Sequence, residues 1–297
     1  MLCLGVAVQD HVFSLAEMPR RADKYRASGM SVVGGGCAAN AAVAVVRLGG
    51  RALLATRLGS DRLGDEIVAD LELEGVDCRH AARFAGCQSS VSAVMVDAAG
   101  ERMVVNYRDA ALPVAVDWLP DPATLGLGAV LADTRWPEGA AHLLRAASAA
   151  GLPAVLDGEP PITAASAAVA AASHVAFSRE GLAEWTGTGD IAAGLAAVAG
   201  RTGAFVCVTD GARGVHYLDG TARGHVPAYP VTVRDTLAAG DVWHGAFALA
   251  LAEGRDAVQA LRFASAAAAL KCTRFGGRAG IPQRAEVETL LREYAAT

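Results

Sequence analysis

Asp235-Thr236-Leu237-Ala238-Ala239-Gly240-Asp241 runs directly into an apolar helical segment at 242–252. Small residues precede an acid in the first helical turn. Three successive backbone N–H groups without a partner inside the helix, together with the positive end of the helix dipole, would make a pocket for a phosphate in transfer. Taken alone, the pattern equally suits an aspartate that merely stabilises its helix, by ~0.3–1 kcal/mol.

Far upstream lies a second small-residue cluster, Gly34-Gly35-Gly36-Cys37-Ala38-Ala39-Asn40, followed by a helical run at 41–48 and a stop at Gly49-Gly50. It reads as a loop of close backbone approach opening a helix, with a turn that serves packing alone as the plain alternative. Gly34-x-Gly36-x-x-Ala39 formally fits a dinucleotide fingerprint. Asp61, however, lies too far on for the ribose carboxylate expected about 20 residues later.

Between and around these clusters, apolar runs of strand length recur at 2–8, 53–56, 129–132, 154–156, 174–177 and 205–209, mostly separated by Ala-rich stretches long enough for helices. Continuous rather than alternating apolar strands suit a parallel sheet covered on both faces, so the fold class is α/β. Two segments break the rhythm. The stretch 11–33 is rich in charge and turn residues, and 88–107 reads as a β-hairpin turning at Asp97-Ala98-Ala99-Gly100-Glu101. Paired with each other, they would form a small sheet over one end of the main one. The division expected is therefore a body of residues 1–10, 34–86 and 109–297 with a lid of 11–33 and 87–108.

Composition removes several function classes. With 297 residues, the chain is long enough for two domains or one large α/β unit, at roughly 150 residues per domain. It is 53% hydrophobic but 5% aromatic, so small aliphatics fill the interior and disorder is excluded. A net charge of −5 gives no case for nucleic-acid binding through bulk charge. The longest apolar runs, such as 164–172, fall short of the ~18 residues a membrane span needs. The N-terminus lacks a basic region ahead of its apolar run, so a cytoplasmic location is expected. Six cysteines without a C-x-x-C pair read as free thiols, mostly buried, and seven histidines show no zinc spacing. Of 26 basic residues only Lys24 and Lys271 are lysine. No G-x-x-x-x-G-K-[ST], protein-kinase signature or G-x-S-x-G elbow is present.

In this order, Gly5 to Asp10 on a first strand, Gly34-Gly35-Gly36 with Asn40, Thr209-x-Gly211-x-x-Gly214 and Ala238-Ala239-Gly240-Asp241 resemble the ribokinase family, also called the PfkB carbohydrate kinases. The resemblance covers nearly the whole chain. It implies a Rossmann-like body with a β-sheet lid, ATP as donor with Mg²⁺, room for a K⁺ requirement, a sugar as acceptor, and a homodimer formed through the lid. Asp241 matches the family's catalytic base, and Ala239, Gly240 and Asp241 its anion hole. Asp10, Gly34, Gly35, Gly36 and Asn40 match its sugar-hydroxyl ligands. Thr209, Gly211 and Gly214 match the nucleotide-phosphate turn, and Ala264 to Ala268 with Gly276-Gly277 the adenine wall. A carboxylate with an ordinary pKa of ~3.9 is a poor base for an alcohol, but a loose phosphoryl-transfer transition state needs little early proton removal.

Two departures stand out. The first small residue of the anion-hole motif is Ala238 where many members have glycine. The family's N-x-x-E motif, tied to Mg²⁺ and phosphate, falls on Ser178-Arg179-Glu180-Gly181, which leaves Asp157 and Glu180 as metal candidates. Within the family the chain looks most like bacterial 6-deoxy-6-sulfofructose kinases, which phosphorylate a C1 hydroxyl. Their sulfonate-binding Lys, Asn and Arg fall on Lys24, Asn106 and Arg135. On this reading a neutral fructose would leave Lys24 and Arg135 unpaired in a closed site. Kinases of fructose or fructose 6-phosphate are the alternatives, as is a catalytically silent sugar- or nucleotide-binding protein. Lys271 is expected on a helix surface or beside the nucleotide, and His244 as a packed helix histidine.

Overall fold

The structure, a computed structural model, describes residues 1–98 and 101–295. Its first apolar run is two strands rather than one. β1 (Leu2–Leu4) ends at Gly5, whose φ of 150° swings the chain out of the body, and β2 (Val8–Ser14) already belongs to a second sheet. Only glycine serves at this exit, because a Cβ on residue 5 would lie 2.0 Å from the Asp133 carboxylate. Asp10 is consequently a residue of the smaller sheet, not of the first strand of the body.

β3 (Gly29–Gly35) leads into helix α1 (Cys37–Arg47), followed by β4 (Leu53–Gly59), α2 (Arg62–Leu73) and β5 (Asp77–Phe84). The hairpin is β6 (Ser90–Val96) and β7 (Arg102–Tyr107). The turn read at 97–101 includes residues 99 and 100, which lie outside the described residues. Next come β8 (Val130–Ala132), α3 (Pro137–Ala149), β9 (Ala154–Gly158), α4 (Ser166–Ala171) and β10 (His174–Ser178). α5 (Arg179–Thr186), α6 (Ile191–Thr202) and β11 (Phe205–Thr209) continue the alternation. β12 (Val215–Asp219) and β13 (Ala222–Val226) make an antiparallel edge before α7 (Ala239–Ala252), α8 (Ala257–Cys272) and α9 (Arg284–Ala295).

Among the described residues the large sheet runs β13-β12-β11-β10-β9-β8-β1-β4-β5, all in one direction apart from β12, which is antiparallel to both neighbours. The small sheet runs β3-β2-β6-β7 and forms the lid. The sequence reading passes over β5, β12 and β13 because these strands at or near the edges carry Asp77, Arg79, Asp219 and Arg223 instead of a continuous apolar run. The inner strands are buried on both faces. Leu2 and Leu4 enter one hydrophobic cluster and Cys3 the other; Val206 and Val208 oppose Phe205 and Cys207 in the same way. One cluster seats α1, α7 and α8, the other α3, α4 and α6. α7 is apolar on nearly every side and therefore lies inside, pressed so closely on α1 that a Cβ at Gly245 would sit 2.6 Å from the Ala41 carbonyl. That contact fixes where α7 stands against α1.

Candidate active site

Ala238 caps α7 in the left-handed conformation, φ 63° and ψ 9°. The turn it makes brings the Ala239 amide onto the Thr236 carbonyl at 3.1 Å. Of the three free amides expected from the sequence, two are left for an anion, those of Gly240 and Asp241. A Cβ added to Gly240 would meet nothing within 4 Å, so the chain is open there. The half-buried Asp241 carboxylate accepts a hydrogen bond from Asn40 Nδ2 at 2.7 Å. Burial raises its pKa above the ordinary carboxylate range, with the Asn40 hydrogen bond and the neighbouring His244 opposing. It is thus a stronger base than an ordinary aspartate.

Asn40 is held in turn by Arg278, a residue the sequence reading missed. Arg278 is buried; its Nε donates to Asn40 Oδ1 at 2.8 Å, Nη2 to the Gly35 carbonyl at 2.9 Å, and Nη1 to Asp70 Oδ2 at 2.6 Å. Each glycine of the first cluster now has a reason. A Cβ at Gly34 would strike the Arg278 guanidinium, one at Gly35 the Asp10 carboxylate at 2.2 Å, and Gly36 takes φ 95° with the Val6 carbonyl 2.4 Å from its missing Cβ. The only sequence signal for Arg278 is its place in a glycine-rich turn after α8.

The carboxyl ends of β8 and β9 add a cluster of acids. Asp133 accepts from the amides of Val6 at 2.8 Å, Ala38 at 3.2 Å and Arg135 at 2.8 Å, so it fastens the start of α1 to the sheet. Asp157 is buried, and among the described residues its Oδ1 has no hydrogen bond; it lies 3.4 Å from His244 Nε2. Burial, then the charges of Glu159 and Asp241, push its carboxyl well up. Cys37 Sγ, an Asp157 oxygen and an Asp241 oxygen all lie within 4.8 Å of one another. Mg²⁺ is a hard cation bound through one or two carboxylates and substrate phosphates, and the orphaned Asp157 oxygen fits that chemistry. Glu180 does not join it. It is exposed at the start of α5, while the position after it must be Gly181, whose Cβ would lie 1.8 Å from the Gly158 carbonyl. His244 is packed as expected, with Nδ1 2.8 Å from the Gly240 carbonyl.

The lid contributes a row of polar side chains on one face. Asp10 pairs across the sheet with Ser92, and Ser92 with Asn106. Asn106 Nδ2 donates to Ser92 Oγ at 3.1 Å, and Ser92 hydrogen-bonds Asp10, whose pKa burial raises. Beyond β7, Arg108 Nη1 donates to the Arg135 carbonyl at 2.6 Å, bringing that end of the lid against the body. Lys24 does not join Asn106 and Arg135. It is exposed, in a segment whose neighbours Arg21, Ala22 and Tyr25 border a hollow with Phe13, Ala93 and Met95 on the opposite face of the lid. Arg135 is not bare either. Nη1 donates to the Pro160 carbonyl at 2.5 Å and to Thr134 Oγ1 at 2.9 Å. The expectation that a neutral sugar would leave these two cations facing each other unpaired is overturned.

At the expected nucleotide side, Thr209 ends β11, Gly211 opens a short turn at φ 54°, and Gly214 has φ 94° with no room for a side chain beside the Val226 carbonyl. Asp210 between them is drawn down to about 2 by its hydrogen bond to Arg213, then Arg179. Ala264 is fully buried on the core side of α8 and forms no wall, whereas Ala268 is partly exposed. The Gly276 and Gly277 amides donate to Asp235 Oδ2 at 3.0 and 3.5 Å. Lys271 is neither on a surface nor beside open space; it is fully buried and paired with Asp235. All six cysteines are free thiols, with Cys3, Cys78 and Cys207 buried.

Comparison with known proteins agrees with this architecture. Residues 1–284 match the pfkB family carbohydrate kinases. The ribokinase of Bacillus subtilis (strain 168) is 28% identical over 293 residues, covering 97% of this chain and 98% of its own. A crystal structure from Agrobacterium tumefaciens, provisionally named a ribokinase, superposes with a TM-score of 0.95 at 37% identity, over 100% of this chain and 98% of that one. The fructokinase of Xylella fastidiosa, solved with bound ATP, gives 0.83 at 28%, over 99% and 98%. The chain belongs to the pfkB family of carbohydrate kinases, and is an ATP-dependent phosphotransferase of sugars on the ribokinase fold.

Proposed function

We propose that the enzyme transfers the γ-phosphoryl group of ATP to the C1 hydroxyl of a ketose with an anionic C6 group, 6-deoxy-6-sulfofructose being the favoured substrate. The observation that carries the transfer step is the Asp241 carboxylate, raised by burial and steered by Asn40, standing beside two free amides at the start of α7. Asp241 takes the hydroxyl proton late in transfer, and the Gly240 and Asp241 amides hold the migrating phosphoryl oxygens. Asp10, Asn40 and the Gly34–Gly36 backbone serve as hydroxyl ligands. Asp157 would hold Mg²⁺, which when bound with nucleotide neutralises phosphate charge. The Thr209, Gly211 and Gly214 turn would receive the nucleotide phosphates, with Ala268, Gly276 and Gly277 beside the base.

Arg135, just past β8, and Asn106 in the lid row are the groups that would donate to sulfonate oxygens, although Asn106 Nδ2 already donates to Ser92 Oγ at 3.1 Å and to the Val91 carbonyl at 3.3 Å. The hydrogen bonds Arg135 already makes favour a second reading, a fructokinase acting on neutral fructose. Relative kcat/KM for sulfofructose, fructose and fructose 6-phosphate decides between them. Sulfofructose is expected to lead, and Arg135→Ala to erase its lead; preference for fructose would sink the anion assignment. A silent binding protein would release no ADP with any sugar.

A second copy of this chain is the partner that would cover the outer lid face. Met30, Val32, Met103, Val105 and Tyr107 are exposed there, opposite Asp10, Ser92 and Asn106 by strand register. Light scattering should give a dimer mass, and a monomer would remove this proposal.

A further inference from the structure

Lys271 has no exposure at all, and every hydrogen of its ammonium group has an acceptor. Nζ donates to the Asp235 carbonyl at 3.1 Å, to Asp235 Oδ2 at 3.0 Å and to the Arg274 carbonyl at 3.3 Å. The anion-hole loop depends on this contact. Asp235 Oδ1 accepts from the Leu237 amide at 2.8 Å, one residue before the left-handed turn at Ala238, while Oδ2 accepts from the Gly276 amide. The Arg234 and Asp235 amides in turn donate to the Cys272 carbonyl, at 2.8 and 3.2 Å. A compact univalent cation thus ties residues 234–237 to residues 272–277. K⁺ is held by main-chain carbonyl oxygens, and here the two carbonyls and the Asp235 carboxylate oxygen are taken by Nζ, so K⁺ does not fit in the cage they form.

We propose that the Lys271 ammonium is the built-in monovalent cation of the anion-hole loop, a positioning residue that makes phosphoryl transfer independent of added K⁺. The inference rests on the kinase reading above. A tethered ammonium has the charge of K⁺ and a similar size, and it is present at fixed effective concentration whatever the salt.

Initial rates of the full-length enzyme are compared in tetramethylammonium, Na⁺, K⁺ and NH₄⁺ salts of equal ionic strength. They are expected to agree within about twofold, whereas activation by K⁺ of about tenfold would overturn the proposal, given that a misplaced catalytic group can cost about 10²-fold. Lys271→Met is expected to lower kcat by about tenfold or more on the same grounds, with sugar KM little changed and part of kcat restored by K⁺ or NH₄⁺ but not by tetramethylammonium. Unchanged kcat, or loss that neither ion restores in a folded variant, would contradict it. If the variant does not fold, the wild-type cation series still decides. If no sugar is turned over, the kinase reading fails by itself. Melting temperatures then test the cage: K⁺ should raise that of Lys271→Met and leave the wild type unmoved, and a K⁺ effect on the wild type overturns the proposal.

Discussion

At Asp241 two demands oppose each other. Burial lifts the carboxyl's pKa and makes it a better base, yet it must still be ionised to accept a proton, and the Asn40 hydrogen bond keeps that form accessible. Turnover should therefore fall as the pH drops through the raised pKa. Asp241→Asn should cost on the order of 10²–10⁴-fold in kcat, with nucleotide affinity retained, as read by ADP release and calorimetric titration. Activity within tenfold of wild type would remove Asp241 from the base role. Three residues earlier, Ala238 bears a left-handed backbone that costs a residue with a Cβ roughly 1–2 kcal/mol, partly offset by the extra freedom glycine loses on folding. Ala238→Gly should stabilise the protein by about 0.5–1 kcal/mol in urea unfolding without lowering kcat.

Among the elements, α1 and α7 form the pair on which the chemistry depends. α1 carries Asn40, α7 carries Asp241, and their distance is set where Gly245 crosses the Ala41 carbonyl. Gly245→Ala should push the helices apart, with an overpacking cost of about 1–3 kcal/mol and a lower kcat from the lengthened Asn40–Asp241 contact. Equal stability by urea titration and equal kcat would show that the crossing is not what sets the site. Arg278 performs the matching task at the lid, joining β3, α1 and α2 through Gly35, Asn40 and Asp70.

For the molecule as a whole, the acids gathered at the cleft set how stability responds to pH. Asp10, Asp133, Asp157 and Asp241 all have pKa values raised by burial. An acid whose folded pKa exceeds its unfolded one stabilises the fold below the unfolded pKa and loses that contribution as pH rises through the folded pKa. Their share of the ligand-free protein's stability should accordingly be largest in acid and fall as pH rises through these raised values, the reverse of the activity trend, while His80, His174 and His216, each lowered by burial, act in the opposite sense. Asp157→Asn should flatten this slope while lowering Mg²⁺-dependent turnover. Urea midpoints across pH check the slope and initial rates the turnover, and a slope unchanged in Asp157→Asn would contradict the assignment. The raised values are the cost of holding carboxylates, one of them with an unbonded oxygen, where a polar substrate is to be received.

Order along the chain was enough to read the α/β class, the hairpin of the lid and the Asp241 motif, because continuous apolar runs, a turn between β-prone segments and small residues before a helix are local signals. The same local rules misjudged what depends on distant partners. Gly5 splits the first apolar run because Asp133 lies 128 residues on, and Ala264 is core because of how α8 packs. Lys24 falls away from Arg135 because its segment crosses to the other face of the lid. Arg278 had no legible role, and Lys271, expected on a helix surface or beside the nucleotide, is instead fully buried against Asp235. A cation's function is set by the oxygens that surround it, and those of Asn40, Gly35, Asp70 and Asp235 are brought to these two side chains only when the sheets and helices have closed around them.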